Sequence, residues 1–308
     1  MGTTIVSIGL SLDGREALSR VILVVAAAVW ATLAGLLPLR AARDRTRFRT
    51  DVRTPGALTA PVATAVLGTR LSLLGWAWAG IATLMIAFAL WVALLRPVLA
   101  GWKSPTVGTS LLLAVSAESL AVLGATLASQ EHARWLLIAA LMAFALGLAF
   151  YLFIIFRFDF RQLAVGHGDH WITGGALGIA ALAAARIAVA AGALGILGGS
   201  GGALEDIALG LWALTMLWLL VLLLAEARWP RLAYDERRWA TVFPLGMYAA
   251  CSFAVGVTAH AGAILSFARA WVWIGLASWV IASVATIRRS ADVLRGPRPP
   301  SSRSGAAR

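Results

Sequence analysis

Long apolar stretches make up most of the chain, and short polar connections separate them. A helix needs about 20 mostly apolar residues to cross the hydrocarbon core of a bilayer. Stretches of about this length lie at residues 19–38, 57–76, 77–96, 108–128, 135–156, 171–198, 205–227, 239–264 and 267–287. The pattern therefore predicts an all-α integral membrane protein.

Residues 1–10 form a tenth apolar stretch that is shorter than the others. As a helix it would rise only about 15 Å, which is half of the hydrocarbon thickness. We therefore predict ten transmembrane helices, of which the first is truncated, and we expect the native product to begin upstream of Met1.

Basic residues gather on one side of the predicted membrane. We number the stretches along the chain, so that residues 1–10 are the first and residues 19–38 the second. Of the 26 Lys and Arg residues, 20 lie in the tail or in the connections after the second, fourth, sixth and eighth stretches. Short loops rich in positive charge stay on the cytoplasmic side. We therefore expect a multi-pass protein of the plasma membrane, with a cytoplasmic C-terminus and odd-numbered stretches that run outward.

The chain is predicted to contain one large domain and a tail. Residues 1–290 form the transmembrane domain. Residues 291–308 are rich in Pro, Ser and Arg, and this composition predicts a disordered basic cytoplasmic tail that lies against anionic lipid.

Composition argues against several other classes of protein. Charged residues account for 13% of the chain, whereas soluble domains contain about 25%. The net charge of +12 lies between apolar stretches, so we expect the lipid bilayer and no nucleic acid as a partner. The single cysteine, Cys251, excludes a disulfide framework.

Motifs of enzymes and metal sites are not found in the sequence. It contains no HExxH, no Gly-Lys phosphate loop and no Gly-x-Ser-x-Gly elbow. The stretch GHGDH at 166–170 offers His167, Asp169 and His170 as metal ligands, but we interpret it as a solvated loop. We predict neither an enzyme nor a cofactor.

Glycine and proline interrupt the odd-numbered stretches more often than the even-numbered ones. The third contains Pro61 and Gly68, and the ninth contains Pro244, Gly246 and Gly256. Helix breakers are tolerated in membranes where neighbouring helices or a water-filled cavity satisfy the freed backbone groups. One interpretation is ordinary packing of small residues. The other is an inner ring of kinked odd-numbered helices inside an outer ring of smoother even-numbered ones.

Three charged residues lie within the odd-numbered stretches. Glu118 is at the middle of the fifth stretch, and Arg70 and Arg186 lie in the outer halves of the third and seventh. A charge at this depth costs several kcal/mol, so it should face the bundle interior or a partner. The alternatives are a structural ion pair between Glu118 and one arginine, or an electropositive pathway that draws in anions.

Several segments together resemble one transporter family. RRWATVFPLGMYAA, at residues 237–250, resembles the ninth helix of the tellurite-resistance/dicarboxylate transporter family, which belongs to the voltage-dependent anion channel superfamily. MGTTIVSIGLSLDG resembles its first helix. VATAVLGTRLSLLGW, ESLAVLGATLA, HWITGGALGIAALA and LWALTMLWLLVLLLAEARW are similar to helices 3, 5, 7 and 8.

The resemblance implies a fold and a set of roles. The fold is ten transmembrane helices, arranged as five hairpins around a quasi-five-fold pore that the odd-numbered helices line, often in a homotrimer. Small anions pass through the pore, and tellurite, sulfite, nitrate, chloride and C4-dicarboxylates such as malate all occur as substrates. The residue that matches the occluding phenylalanine is Phe243, which the Pro244 kink points into the lumen. We place Gly2, Arg70, Glu118 and Arg186 on the anion pathway.

Two other mechanisms stay open at this point. A proton-coupled C4-dicarboxylate carrier needs a titratable group in the pathway, and Glu118 is the candidate at the midplane. A transport-inactive homologue follows from the short first helix.

Overall fold

The computed structural model describes residues 1–165, 168–196, 201–230 and 238–295, with only the backbone described at residues 201 and 293–295. This part of the chain is helical, and it contains a single isolated β-bridge between Thr106 and Phe158. Its α-helices are α1 (Gly2–Leu12), α2 (Glu16–Arg43), α3 (Arg45–Asp51), α4 (Thr59–Leu73), α5 (Ala77–Ala100), α6 (Leu112–Gln130), α7 (Arg134–Ile155), α8 (Gln162–Val165), α9 (Ile172–Ala193), α10 (Gly201–Arg228), α11 (Trp239–Thr258) and α12 (Gly262–Arg295).

Eight of these helices are long and apolar enough to cross a membrane, and α1 is a shorter apolar helix. Helix α4 has 15 residues and continues a 3-10 turn at Pro55–Leu58. The predicted stretch 239–264 divides in the structure, because α11 ends at Thr258 and α12 begins at Gly262. Helix α12 reaches Arg295, so it includes the first residues of the predicted tail, and residues 296–308 lie outside the described residues.

Burial divides the long helices into two groups. Helices α1, α4, α6, α9 and α11 bury most of their residues. Helices α2, α5, α7, α10 and α12 bury less than a third of their membrane-length windows, and their exposed side chains are largely apolar. The first group therefore forms the interior, and the second group presents the surface that lipid would cover.

The buried helices contact one another in a closed cycle. Along it, α1 contacts α4, α4 contacts α6, α6 contacts α9, α9 contacts α11, and α11 returns to α1. Each is also packed against the exposed helix that follows it in the chain. We call α1, α4, α6, α9 and α11 the inner helices, and α2, α5, α7, α10 and α12 the outer helices. The contact between α1 and α4 is the least extensive in the cycle.

The same turn joins the two helices of every inner–outer pair. One residue of each turn has a positive φ: Gly14 (78°), Gly75 (85°), His132 (51°), Gly195 (62°) and His260 (50°). The next residue donates its N–H to the carbonyl five positions earlier: Arg15 to Leu10, Trp76 to Leu71, Ala133 to Ala128, Ile196 to Ala191 and Ala261 to Gly256. This is the hydrogen bond of a Schellman C-cap, which satisfies a carbonyl at the end of each inner helix.

Tryptophan side chains connect neighbouring pairs. In four places an indole N–H on an outer helix donates to a hydroxyl on the inner helix of the next pair: Trp30 to Thr64 (2.9 Å), Trp91 to Ser116 (3.1 Å), Trp212 to Ser252 (2.8 Å) and Trp279 to Thr3 (3.1 Å). The last of these bonds runs from α12 back to α1, so it closes the cycle. A buried indole usually has a hydrogen-bond partner, and here that need selects the neighbouring helix.

Glycine-to-alanine substitutions test the turns at positions where only the φ angle determines whether alanine is tolerated. A Cβ at Gly14 or at Gly35, which lies inside α2, would meet no atom within 4 Å. Gly14→Ala should therefore lower the free energy of unfolding by about 1 kcal/mol, because alanine at positive φ is strained. Gly35→Ala should raise it by about 0.5–1 kcal/mol, because alanine favours the helix. Denaturant unfolding in detergent measures both, and equal effects would contradict the assigned turn.

Candidate functional site

The N-terminal ends of the inner helices surround one cavity of about 1460 Å³. Every inner helix contributes one of its first residues to the wall: Gly2, Thr59, Leu112, Ile172 and Ala240. Outer helices α2 and α12 complete the wall with Val25, Val29, Leu33, Trp279 and Ser283. Most of these side chains are apolar, and the side-chain donors in the wall are neutral hydroxyl, amide and indole groups, such as those of Thr59, Ser283 and Trp279.

Backbone dipoles give the cavity its electrostatic character. Each helix N-terminus carries the equivalent of about half a positive charge. In α4, α6 and α9 a short 3-10 turn comes before the helix and already accepts the N–H of Thr59, Leu112 and Ile172. Five such ends meet at one space, which favours an anion there. The carboxylates of Asp159 and Asp169 also lie in the wall, and no Lys or Arg is among the described residues that line it. The helix dipoles thus oppose the negative charge of these two carboxylates.

Phe243 lies one helical turn beyond Ala240, directly past the inner end of the cavity along α11. Its side chain is 0% exposed and belongs to an apolar cluster to which all five inner helices contribute. Phe253, ten residues further along α11, belongs to a separate cluster with residues of α1, α2 and α12. The two phenylalanines of α11 thus face different surroundings.

Pro244 lies inside α11, which continues through it as one helix. Proline has no N–H, so the carbonyl of Ala240 loses its usual partner within the helix, and Ala240 lines the cavity. Gly175 of α9 packs against the proline ring, because a Cβ at position 175 would lie 3.0 Å from Pro244 Cγ. The pair lets α9 and α11 approach closely beside Phe243.

Gly2 lies in the wall of the cavity and also against α11. A Cβ there would be 3.2 Å from Val242 Cγ1. Gly2 therefore joins the cavity to the segment of α11 that carries Phe243.

Arg70 is fully buried and is bonded to the first outer helix, not to Glu118. Its Nη2 donates to both carboxylate oxygens of Glu16, at 2.7 and 2.9 Å. Its Nε and Nη2 donate to Ser19 Oγ at 3.1 and 2.9 Å. Ser19 in turn exchanges hydrogen bonds with Ser7 of α1. This network joins α1, α2 and α4 at the end of the inner helices opposite the cavity.

Glu118 and Arg186 have no ion-pair partner among the described residues. Glu118 is 1% exposed, and neither carboxylate oxygen accepts a hydrogen bond in this part of the chain. A Cβ at Gly147 of α7 would lie 2.5 Å from Glu118 Oε1, so the carboxyl group occupies the interface between α6 and its outer helix. Arg186, in α9, buries its Nε without a partner.

Of the two alternatives open for Glu118, the ion pair with Arg70 or Arg186 is therefore not formed. The sequence pattern missed Glu16, Ser19 and Ser7, which are the residues that surround Arg70. Glu16 lies at the start of α2 beside a polar turn, where a carboxylate would be read as an ordinary solvated residue. The only available signal was that a buried arginine needs an anion within reach.

The GHGDH stretch is divided by the structure. His167 lies outside the described residues, Asp169 lines the cavity, and His170 is buried. In the described ranges, no group of three or more His, Cys, Asp or Glu side chains is placed to hold a metal ion.

One family model and two membrane proteins are similar to this chain. A family model described as voltage-dependent anion channel matches residues 1–287. Two uncharacterized membrane proteins from strains CDC 1551 and H37Rv of Mycobacterium tuberculosis are each 31% identical to the chain over 131 residues. The match covers 41% of this chain and 66% of each relative, so it spans just under two thirds of their length.

The Arg70 network predicts unequal effects for the two arginines within α4 and α9. Arg70→Gln removes one partner of a mostly buried pair, which costs about 3–5 kcal/mol when both charges are enclosed. Because Glu16 remains partly exposed, we expect about 3 kcal/mol. Arg186→Gln breaks no ion pair of the described residues and should cost about 1 kcal/mol or less. Denaturant unfolding in detergent tests this difference, and equal losses would contradict it.

Proposed function

We propose that this chain, which belongs to the voltage-dependent anion channel family, carries small anions across the membrane along the axis of its inner helices. The family match confirms the resemblance found in the sequence. The observation that carries the proposal is the cavity at the N-terminal ends of all five inner helices, which leads directly to the apolar cluster that contains Phe243.

We propose that the membrane arrangement is ten crossings, grouped as five hairpins around a quasi-five-fold pore. The closed cycle of inner helices, the outer helix packed behind each one and the repeated turn support this arrangement. The cavity then faces the cytoplasm of the cell, since the exposed arginines of α3 and the end of α2 lie on that side. Assembly as a homotrimer in the plasma membrane is part of the same proposal, on the family resemblance.

Phe243 is proposed as the gate. An apolar constriction blocks ions because it excludes the water that they need. Phe243 is buried in an apolar cluster to which all five inner helices contribute, one turn past Ala240 in the cavity wall, and Gly175 packs against the neighbouring Pro244. Opening requires the ring to leave this position. The other residues proposed along the pathway are Gly2, Arg70 and Arg186, and Glu118 is left out because its carboxyl group lies against Gly147 of α7.

The proposed substrate is a small inorganic anion, tellurite or a C4-dicarboxylate such as malate. The dipoles of helix N-termini attract any small anion, and they provide no arrangement of side chains that would select one anion over another. A cavity of about 1460 Å³ also accepts all of these anions with their hydration water. Selection among them must therefore occur at the narrow part of the pathway, past Ala240.

A proton-coupled carrier is the second candidate, and one observation bears on it. Glu118 is buried without a hydrogen-bond donor in the described residues. Its contact with Gly147, however, places the carboxyl group between α6 and α7, on the outer side of α6. A passive gated pore therefore agrees better with its position than a proton relay on the pore axis.

Phe243→Ala tests the gate. The substitution removes the ring and leaves Pro244 in place, so the constriction should become wider and wetter, and anion conductance in planar bilayers should rise at least about tenfold. Phe253→Ala is the matched control, because Phe253 packs among α1, α2 and α12 and its truncation should open nothing. Equal currents for wild type and Phe243→Ala at matched surface expression would mean that this side chain is not the gate. A protein without current in any form would be the transport-inactive homologue.

Glu118→Gln separates the two mechanisms. We expect anion flux into proteoliposomes to have the same dependence on an imposed pH gradient in the variant and in the wild type, because the carboxyl group lies off the pore axis. If the wild-type flux follows the pH gradient and the flux of the variant does not, the proton-coupled carrier is the correct mechanism.

A further inference from the structure

The carboxylate of Glu16 accepts hydrogen bonds from three side chains. Arg70 Nη2 donates to both oxygens, Ser11 Oγ donates to Oε2 at 2.8 Å, and Arg20 Nε donates to Oε1 at 3.0 Å. Bonds from charged donors to a carboxylate are the stronger class of protein hydrogen bonds. These donors come from α1, α2 and α4, and together they have the form of a binding site for a small carboxylate.

Arg70 keeps unused donor capacity in this site. A guanidinium group usually binds a carboxylate with two nitrogens, one for each oxygen. Here a single nitrogen, Nη2, serves both oxygens, and Nη1 is buried without a partner among the described residues. The side chain itself is 0% exposed. A buried donor without a partner costs free energy. An anion with an acceptor oxygen near Nη1 would remove that cost.

The charge of the cluster is also unbalanced. Arg70 and Arg20 share the single carboxylate of Glu16, while the neighbouring Arg15 lies 3.7 Å from its own partner, Asp13. The cluster thus has one positive charge in excess, and one monovalent anion would neutralise it.

The site is open to solvent on one side. The side chain of Glu16 is 37% exposed, whereas that of Arg70 is 1% exposed. The cluster lies at the C-terminal ends of α1 and α4, opposite the cavity. It also lies beside the α1–α4 contact, which is the least extensive in the cycle of inner helices. An anion can therefore reach Arg70 by displacing one flexible side chain.

We propose that this cluster is a binding site for small planar oxyanions of the carboxylate type, and that Glu16 is its tethered occupant. An arriving anion takes the bonds from Arg70 and Ser11, and Glu16 turns outward while it keeps its bond to Arg20. A planar oxyanion presents two acceptor oxygens in the arrangement of the Glu16 carboxylate, whereas chloride presents one centre. The step from binding to transport rests on the proposed function, and the binding itself does not.

Chemical rescue tests the site. Glu16→Ala removes the tethered carboxylate and leaves its donors, so the purified variant should melt at a lower temperature than the wild type in sodium chloride. Sodium formate at equal ionic strength should raise the melting temperature by about 5 °C or more, because a ligand that binds the folded state stabilises it. The wild type, whose site is already filled, should shift by much less.

Glu131→Ala is the matched control. Glu131 is exposed in the turn after α6, on the same side of the protein, and formate should have no specific effect on that variant. If formate and chloride have equal effects on Glu16→Ala, the cluster is a structural ion pair only and the proposal is wrong.

Should Glu16→Ala fail to yield folded protein, Glu16→Gln replaces it, since the amide oxygen still accepts from Arg70. Formate must then stabilise Glu16→Gln more than the wild type, and equal shifts overturn the proposal.

The same experiments distinguish this site from the transport function. Formate rescue in a protein that conducts no anion would support the site and contradict the proposed function. Anion conductance in the wild type without formate rescue in the Glu16 variants would contradict the site and leave the proposed function standing.

Discussion

Close approach of the inner helices is the constraint on which the rest of the structure depends. Gly246 of α11 faces α1 so tightly that a Cβ there would lie 2.7 Å from Ile5 Cγ2. Gly175 of α9 meets Pro244 in the same way. Without a hydrophobic driving force between helices in lipid, this packing of small residues is a main source of association. It brings five helix N-termini together and thereby creates the cavity.

The contact between α1 and α4 completes the cycle of five inner helices. Helices α1 and α4 make the least extensive contact in the cycle, and polar groups connect them through Arg70, Glu16 and Ser19. Elsewhere the inner helices share a broad apolar cluster. A polar contact can exchange partners with an anion, whereas an apolar one cannot, so the least packed part of the cycle is also the most suited to bind a solute.

The two ends of the inner helices have different chemistry. At their N-terminal ends, backbone N–H groups provide a diffuse positive potential around a wide, mostly apolar cavity. Near their C-terminal ends, guanidinium groups provide directed hydrogen bonds at a compact site. Phe243 lies between them in an apolar cluster. In the proposed pathway, a weakly selective entrance is followed by the proposed apolar barrier and then by the proposed oxyanion site.

The sequence by itself determined the helices and the division into inner and outer groups. Hydropathy and the placement of Gly and Pro carry this information, because both depend only on the solvent and the neighbours that a helix meets along its whole length. The start of α11 and the place of Phe243 in a buried helix could be predicted for the same reason. The partners of single side chains could not. An inner helix such as α6 is buried on every side, so no contrast between an exposed and a buried face fixes its rotation. Only the tertiary structure decided that Glu118 turns toward Gly147 and that Arg70 meets Glu16, because those contacts depend on how each helix is rotated against neighbours that lie far away in the sequence.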